Sequence, residues 1–301
     1  MDNLNGTLVS VVVLSYNSSL TIQETLDSIH DQTYGNIELI IADDKSIDNT
    51  KELCDRWMSK HKGRFVNMAW IEPENNTGVA GNANRGIRAS QGEWIKLIAA
   101  DDILLPNCIE KNIAFVYRQP EARQVFSRVQ FIGDEELVAR FSNKINLRGY
   151  FALSQEEQYL LMLIDNRVEA PAAFMKKELW EAYSGFDERF PMIEDWPFWI
   201  KIMKNGERLF FLDVFTVKYR LHESLSVSIS PSPRYLQTLS SVRDYVAQCQ
   251  EEVSPQFFRY CRIVSKERVG IWDKIRLRFN PYYWKVKQAY TKMFRYGEYA
   301  Q

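Results

Sequence analysis

The chain has few cysteines, and several common signatures are missing from it. Its four cysteines follow neither a CxxC nor a metal-finger spacing, so we expect reduced cytoplasmic thiols rather than disulfides or a zinc site. No run approaches the ~18 to 20 apolar residues that cross a bilayer, and residues 1–7 are too polar and short for a signal peptide. The sequence therefore predicts a soluble or membrane-peripheral protein.

A strong overall charge is also missing. The formal net charge of the 301 residues is −1, so nothing global points to nucleic acid as a partner. From Arg262 onward, however, ten Lys and Arg stand against three acids, a local charge of +7 that leaves −8 for residues 1–261. This asymmetry predicts an anionic partner for the C-terminal end, with a membrane surface as the first candidate.

Two nucleotide-binding signatures are absent as well. The first strand-like run, Leu8–Leu14, leads into Ser-Tyr-Asn-Ser-Ser instead of GxGxxG, and GxxxxGK[ST] occurs nowhere. The dinucleotide fingerprint and the P-loop are therefore excluded. Apolar runs nevertheless alternate four times with helical patterns, which predicts an α/β fold with a parallel sheet.

The most informative stretch that is present runs from Trp94 to Pro106. Its apolar part predicts a strand buried on both faces that stops at Asp101 and Asp102, and Pro106 indicates the first turn of a helix. Ligands bind at the carboxyl edge of open α/β sheets, and two carboxylates there suit a divalent cation. On this pair alone, a solvated turn or helix cap explains the sequence equally well.

The remaining pattern is less regular. Thr21 with Glu24 indicates a capping box at the start of the first helix. The other expectations are a strand at 125–132, a polar loop at 133–153, separate strands at 209–212 and 214–221, and helices from 233 onward.

Seven short motifs follow one another along the chain. They are Val9–Asn17, Ile40–Thr50, Asn76–Gly78 with Asn84–Ile87, Ala99–Asp102, Gly185–Glu188, Glu194–Asp195 and Tyr219–Ser226. In this order they resemble the bacterial family 2 inverting glycosyltransferases of the polysaccharide and O-antigen biosynthesis type, over roughly residues 8–228. Each motif is weak alone, but their shared order makes the resemblance specific.

The resemblance implies a GT-A nucleotide-diphospho-sugar transferase fold, a Rossmann-like, mixed but mostly parallel sheet flanked by helices. Residues 1–230 would form the catalytic domain, with a nucleotide-binding half to about residue 105 and an acceptor half over 106–230. Residues 231–301 would be a helical, basic and aromatic extension.

The resemblance also implies a set of nucleotide-sugar contacts. They are Ser15, Tyr16, Asn17, Asp43, Asp44, Asn76, Gly78, Asn84, Lys96 and Asp101. Asp43 or Asp44 can accept hydrogen bonds from base or ribose, although Asp44 could instead cap a helix. Where many relatives have an arginine, this chain has Ala83, so we expect Lys96 or Arg88 to supply the missing cation.

For the metal, the resemblance assigns Asp101 and Asp102 as ligands of Mn²⁺ or Mg²⁺, with His222 as a further ligand. Ala99 stands where the first acid of an Asp-X-Asp motif would be. A cation at this place would neutralise charge on the departing nucleotide. The alternative for a single histidine after a strand is a surface or core position.

Inverting transfer needs one general base, and Asp195 is the candidate. Glu194 is then an acceptor-hydroxyl ligand or the base itself, and a charged helix N-terminus is the structural alternative. Trp196 and Trp199 could raise the pKa of Asp195 and stack on an acceptor sugar.

The resulting hypothesis is transfer from a UDP-hexose or UDP-N-acetylhexosamine to a saccharide, lipid-linked in surface polysaccharide or O-antigen synthesis. The protein would be cytoplasmic and peripheral at the inner face of the cell membrane, attached through residues 262–301. Aromatic and basic residues alternate over 271–296, which equally suits a packed helix pair or a contact in a homo-oligomer. Two functions compete with this hypothesis. The first is a nucleotidyltransferase, which should have a Gly-rich loop after the first strand, whereas Ser15–Ser19 contains no glycine. The second is a non-catalytic relative that binds a saccharide.

Overall fold

The structure, a computed structural model, describes residues 6–141, 147–221, 231–266 and 270–298. Within them, eight strands form one sheet. The strands are β1 (Val9–Ser15), β2 (Ile37–Asp43), β3 (Asn67–Ile71), β4 (Trp94–Ala99), β5 (Ile103–Leu104), β6 (Gln124–Gly133), β7 (Ala173–Lys176) and β8 (Phe210–Leu221).

Helices connect and flank the strands. They are α1 (Ile22–His30), α2 (Thr50–Lys60), α3 (Val79–Ala89), α4 (Cys108–Arg118), α5 (Glu135–Phe141), α6 (Leu147–Phe151), α7 (Gln155–Met162), α8 (Lys177–Ala182), α9 (Asp195–Lys204), α10 (Pro233–Val253), α11 (Pro255–Val264), α12 (Ile271–Arg278) and α13 (Pro281–Glu298). A 3₁₀ turn, Ala170–Ala172, precedes β7.

The sheet is mixed and mostly parallel, with the strand order β3-β2-β1-β4-β7-β6-β8-β5. β1 pairs in parallel with both β2 and β4, whereas β7 runs antiparallel between β4 and β6. The central strands β1 and β2 are buried along nearly their whole length, which is why their sequences are continuous apolar runs. The predicted α/β fold with a mixed, mostly parallel sheet is confirmed.

The strand register brings the ends of three strands together. Ser15 at the end of β1 is paired with Asp43 at the end of β2, and Leu14 is paired with Ala99 at the end of β4. The polar residues after these strands therefore lie along one edge of the sheet, as expected for parallel neighbours.

Several local predictions are wrong. The segment predicted as a polar loop at 133–153 contains α5 and α6, and Tyr150 in α6 is fully buried. β8 is one strand with a register shift near its middle, not two strands. Pro106 precedes α4 by two residues instead of opening it.

The predicted capping box at Thr21 is also wrong, because its side chain makes no cap hydrogen bond. A capping box forms instead at α7, where Ser154 and Glu157 bond each other's backbone N–H groups.

The helical extension, which was predicted, packs on the rest of the molecule. Val286, Ala289 and Met293 form a buried stripe on α13, and a Cβ on Gly149 of α6 would lie 1.8 Å from the Met293 carbonyl oxygen. On α10, the Gln250 side chain donates to the Leu163 carbonyl at 2.6 Å. No helix in the described ranges is long and apolar enough to cross a membrane.

Candidate active site

A cleft of about 1180 Å³ opens at the carboxyl edge of β1, β2 and β4. It brings together most of the residues that the sequence singled out. The predicted residues that line it are Ser15, Tyr16, Asn17, Asp44, Asn76, Gly78, Asp101, Asp102, Glu194 and Asp195. Residues separated by up to 180 positions thus share one cavity, while His222 lies outside the described residues.

On one side of the cleft, Asp44 holds the loop that leads into α3. Its Oδ1 accepts from the Thr77 backbone N–H at 2.9 Å and from Arg85 Nη2 at 3.2 Å, while its Oδ2 accepts from the Gly78 N–H at 2.7 Å. Gly78 has φ +85°, and a Cβ there would lie 2.5 Å from the Pro191 carbonyl oxygen. Glycine is therefore required for this loop, and Asp44 positions its backbone.

Tyr16 and Asn17 form the neighbouring wall. The Tyr16 ring is half exposed, and the Asn17 side chain accepts from the Ile47 N–H at 2.9 Å. Asp43, in contrast, is buried and turned away from the cleft, where it accepts from the Ser46 N–H at 2.7 Å. Asp43 therefore does not line the cleft, because its carboxylate closes a turn, and its contact with the donor stays a prediction.

Two further residues predicted to contact the donor are placed away from the cleft surface. Lys96 is fully buried beneath the cleft, and its ammonium donates to the carbonyls of Pro171 and Ala173. Burial lowers its pKa. Asn84 is buried behind α3, where its side chain donates to the Phe186 carbonyl and accepts from the Phe186 N–H, both at 2.9 Å. Both side chains bind backbone of another segment and do not line the cleft.

At the centre of the cleft edge lies Asp102, which is 1% exposed. Its Oδ1 accepts from the Arg220 backbone N–H at 2.8 Å, while its buried Oδ2 has no hydrogen-bond partner among the described residues. Burial, together with the adjacent charge of Asp101, raises the pKa of Asp102 well above its ordinary value. Ala99, three residues before Asp102, is exposed at the cleft surface without a polar side chain.

These residues fit a divalent cation. Asp101 and Asp102 offer hard oxygen ligands, and a buried carboxylate oxygen without a partner is costly unless something charged binds to it. Among the described residues, no group of three or more His, Cys, Asp and Glu side chains is arranged to hold a metal ion. Substrate phosphate and water commonly complete such a site.

Opposite this edge, Glu194 and Asp195 stand at the beginning of α9, with Pro197 in its first turn. Asp195 Oδ2 accepts a hydrogen bond from Asn166 Nδ2 at 2.9 Å. Burial raises the pKa of both carboxyl groups, and the charge of Asp195 adds to the effect on Glu194, whose pKa rises to about 8. The Asn166 hydrogen bond favours the ionised form of Asp195 and so opposes the effect of burial on its pKa.

The two tryptophans on α9 do not face the cleft. Trp199 is 2% exposed and packs edge-on against Phe126 at a centroid distance of 5.1 Å. Trp196 is half-buried, and its Nε1 donates to the Met162 carbonyl at 2.9 Å. Both side chains pack α9 against the rest of the molecule, and their stacking on an acceptor sugar stays a prediction.

The structure adds cleft residues that the sequence did not single out. Asn166 comes from a segment without any motif, and Arg234 comes from the first turn of α10. Arg220 lies within the last motif, but its role was not predicted: its Nε donates to the Asp101 carbonyl at 2.8 Å, and its Nη2 pairs with Glu24. Of these three residues, only Arg220 belongs to a sequence motif through which it could have been found.

The raised pKa of Glu194 predicts a pH-dependent stability. The unfolded chain releases this proton near 4.5, whereas the folded chain keeps it to about 8, so ionisation favours unfolding across that interval. The free energy of unfolding therefore decreases as the pH rises through this interval. We expect Glu194→Gln to unfold at a higher temperature than the wild type at pH 9, with the difference vanishing near pH 4.

Thermal unfolding followed by circular dichroism from pH 4 to 9 measures this effect. Glu136→Gln, the same change at an exposed glutamate on α5, is the matched control. Parallel melting profiles for Glu194→Gln and the wild type would contradict the assignment of the proton to Glu194.

Comparison with known proteins agrees with this geometry. The family model for "Glycosyl transferase family 2" matches residues 10–179. Among curated proteins, Escherichia coli WfgD, named UDP-Glc:alpha-D-GlcNAc-diphosphoundecaprenol beta-1,3-glucosyltransferase, is 27% identical over 221 residues, covering 72% of this chain and 78% of its own.

Solved structures share the fold. S. aureus TarS in complex with UDP-GlcNAc has a TM-score of 0.65 at 15% identity, covering 96% of this chain and 89% of that one. The Pyrobaculum calidifontis mannosyltransferase PcManGT in complex with GDP-Man and Mn²⁺ has a TM-score of 0.52 at 16% identity, covering 97% and 86%. The family match spans more than half of the chain, so the protein belongs to glycosyl transferase family 2 and is a glycosyltransferase with the GT-A fold.

Proposed function

We propose that the enzyme transfers a hexose or N-acetylhexosamine, with inversion, from a UDP-sugar to a saccharide acceptor. The observation that carries the proposal is the placement of two carboxylate pairs, Asp101–Asp102 and Glu194–Asp195, in one cleft at the carboxyl edge of the sheet. The UDP-sugar named in the description of WfgD and the UDP-GlcNAc bound by TarS support the choice of donor.

In this mechanism Asp195 is the general base. The acceptor hydroxyl attacks the anomeric carbon, its proton passes to Asp195, and the bond to the nucleoside diphosphate breaks on the opposite face of the sugar. Asn166 holds the Asp195 carboxylate by a 2.9 Å hydrogen bond, and Glu194 retains its proton, so one base is available next to one neutral acid.

Asp101 and Asp102 would hold Mn²⁺ or Mg²⁺, with His222 as the further ligand proposed from the sequence. The cation supplies charge neutralisation to the departing diphosphate. The chain's own contribution is to keep Asp102 in place, through the Arg220 N–H on Oδ1, while leaving Oδ2 without a protein partner among the described residues.

A panel of nucleotide sugars with Mn²⁺ tests the donor. At a ligand concentration ~100-fold above Kd, we expect a UDP-sugar to raise Tm by roughly 5 °C or more. GDP-mannose should give a smaller shift, and slow release of UDP from the matching sugar should follow. Equal, negligible shifts for every UDP-sugar and for UDP itself would contradict the proposal.

We further propose a lipid-linked acceptor and a position at an anionic membrane surface, in surface polysaccharide or O-antigen synthesis. The name of WfgD includes a diphosphoundecaprenol acceptor, which supports the first part. For the second part, Trp272, Ile275 and Phe279 lie three and four residues apart along α12 and its C-terminal end, with Trp272 73% and Phe279 86% exposed. Arg276 and Arg278 lie between these apolar side chains, as anionic lipid would require.

Flotation with vesicles tests this surface. The wild-type chain should float with vesicles containing phosphatidylglycerol and remain below with pure phosphatidylcholine, because both apolar burial and charge contribute. Trp272→Ala with Phe279→Ala should abolish flotation, whereas Val66→Ala, at an exposed apolar residue before β3, should not. Flotation of the double variant to the wild-type extent would contradict the membrane contact.

A further inference from the structure

The family-matched part of the chain has Ala83 at the position where many relatives have an arginine. Ala83 is fully buried in α3 and cannot reach a ligand. Neither of the two residues expected to compensate lines the cleft. Lys96 is bound to backbone carbonyls below the cleft, and Arg88 lies beside the Trp180 ring and pairs with Glu188 at 3.6 Å.

The cleft nevertheless contains two cations among its described lining residues, Arg220 and Arg234. Arg220 is committed to the protein, because its side chain pairs with Glu24 and donates to the Asp101 carbonyl. Arg234 lies outside the segment matched by the family, and its Nη1 donates to the neutral Asn76 Oδ1 at 2.7 Å. Within the described part of the chain it forms no ion pair.

The start of α10 fixes where this guanidinium lies. Pro233 occupies the first turn, and the Ser232 hydroxyl caps the helix by accepting from the Tyr235 N–H at 3.2 Å. Asn76, in turn, donates to the Asp44 backbone carbonyl at 3.1 Å, so Arg234 faces the loop that Asp44 holds. The guanidinium is thus positioned over the donor side of the cleft before any ligand binds.

We propose that Arg234 binds the diphosphate of the donor nucleotide, supplying from the helical extension the cation that the matched segment lacks. This inference rests on the proposed function. On binding, the guanidinium would exchange its hydrogen bond to the neutral Asn76 amide for charge-assisted bonds to phosphate oxygens, which are about twice as strong and can be bidentate. The extension would then take part in donor recognition, in addition to packing on the sheet domain.

Calorimetric titration of the full chain with UDP and with uridine, both with Mn²⁺, tests the proposal. We expect Arg234→Ala to weaken UDP binding by about 10-fold or more, because a charge-assisted contact is lost, while uridine affinity stays unchanged. The UDP affinity of Arg234→Lys should lie between that of the wild type and that of Arg234→Ala. Arg259→Ala, at an exposed arginine of α11 that bonds only its own helix among described residues, should bind UDP like the wild type.

Two results would overturn the inference. Unchanged UDP affinity of Arg234→Ala would remove the phosphate contact, and an equal loss for UDP and uridine would show that Arg234 acts only by holding Asn76. Absence of UDP binding by the wild-type chain is a different result, which would overturn the proposed function and this inference with it.

Discussion

Asp195→Asn is expected to lower the rate constant of sugar transfer by at least ~10²-fold, the usual contribution of a general base. Asparagine keeps the size of the side chain and a carbonyl oxygen for the hydrogen bond from Asn166. It cannot accept the proton of the acceptor hydroxyl, however. Because the base acts on the acceptor hydroxyl in the proposed mechanism, the affinity for UDP should stay close to that of the wild type.

The measurement is the steady-state transfer rate at saturating donor together with UDP affinity by calorimetry. Asp165→Asn makes the same chemical change at an exposed residue next to Asn166 and should leave both quantities unaltered. Unchanged turnover of Asp195→Asn would remove Asp195 as the base and direct attention to Glu194. The wild-type rate should also rise with pH as the raised pKa of Asp195 is passed, since only the ionised form accepts a proton.

Asp102→Asn is expected to abolish activation by Mn²⁺ and to lower transfer by ~10² to 10³-fold, as loss of a group that stabilises developing charge does. Asparagine can still accept from the Arg220 N–H through its carbonyl oxygen, so the strand end should keep its conformation. The amide nitrogen, however, replaces the unpartnered Oδ2 and cannot ligate a cation.

Thermal unfolding with and without Mn²⁺ gives a readout that does not depend on activity. The wild-type chain should be stabilised by Mn²⁺, and Asp102→Asn should not be. Asp55→Asn, at an exposed residue of α2, is the control for loss of one negative charge. Full activity in EDTA, together with active Asp101→Ala and Asp102→Ala variants, would exclude the metal assignment.

Contacts between residues far apart in the sequence explain the wrong predictions. The segment at 133–153 is polar enough to suggest a loop, yet Tyr150 in α6 is fully buried, and α13 approaches Gly149 so closely that only a glycine fits. This packing partner lies more than 140 residues further along the chain. Local composition carries no information about it, because burial depends on what the tertiary fold places against the segment.

The sequence also did not reveal the direction in which a side chain points. Lys96 stands in a strand beside the cleft edge, and the sequence alone suggested a donor contact. In the structure its ammonium lies inside the protein, where carbonyls of Pro171 and Ala173 from another segment replace water. Asn84 on α3 and Trp199 on α9 also belong to helices that border the cleft, but their side chains are buried against packing partners and do not face it. Helix rotation and strand pairing set these directions.

The sequence by itself determined the alternation of strands and helices and the places where strands end in carboxylates. Buried parallel strands must be continuous apolar runs, so Val9–Ser15 and Trp94–Ala99 were recognisable, and Asp44 and Asp102 mark where such runs stop. Only the tertiary structure decided that Asp44 holds the Gly78 loop, that one oxygen of Asp102 has no partner among the described residues, and that α10 brings Arg234 to Asn76. Those properties arise from contacts across more than 30 and up to 158 positions, which no local pattern encodes.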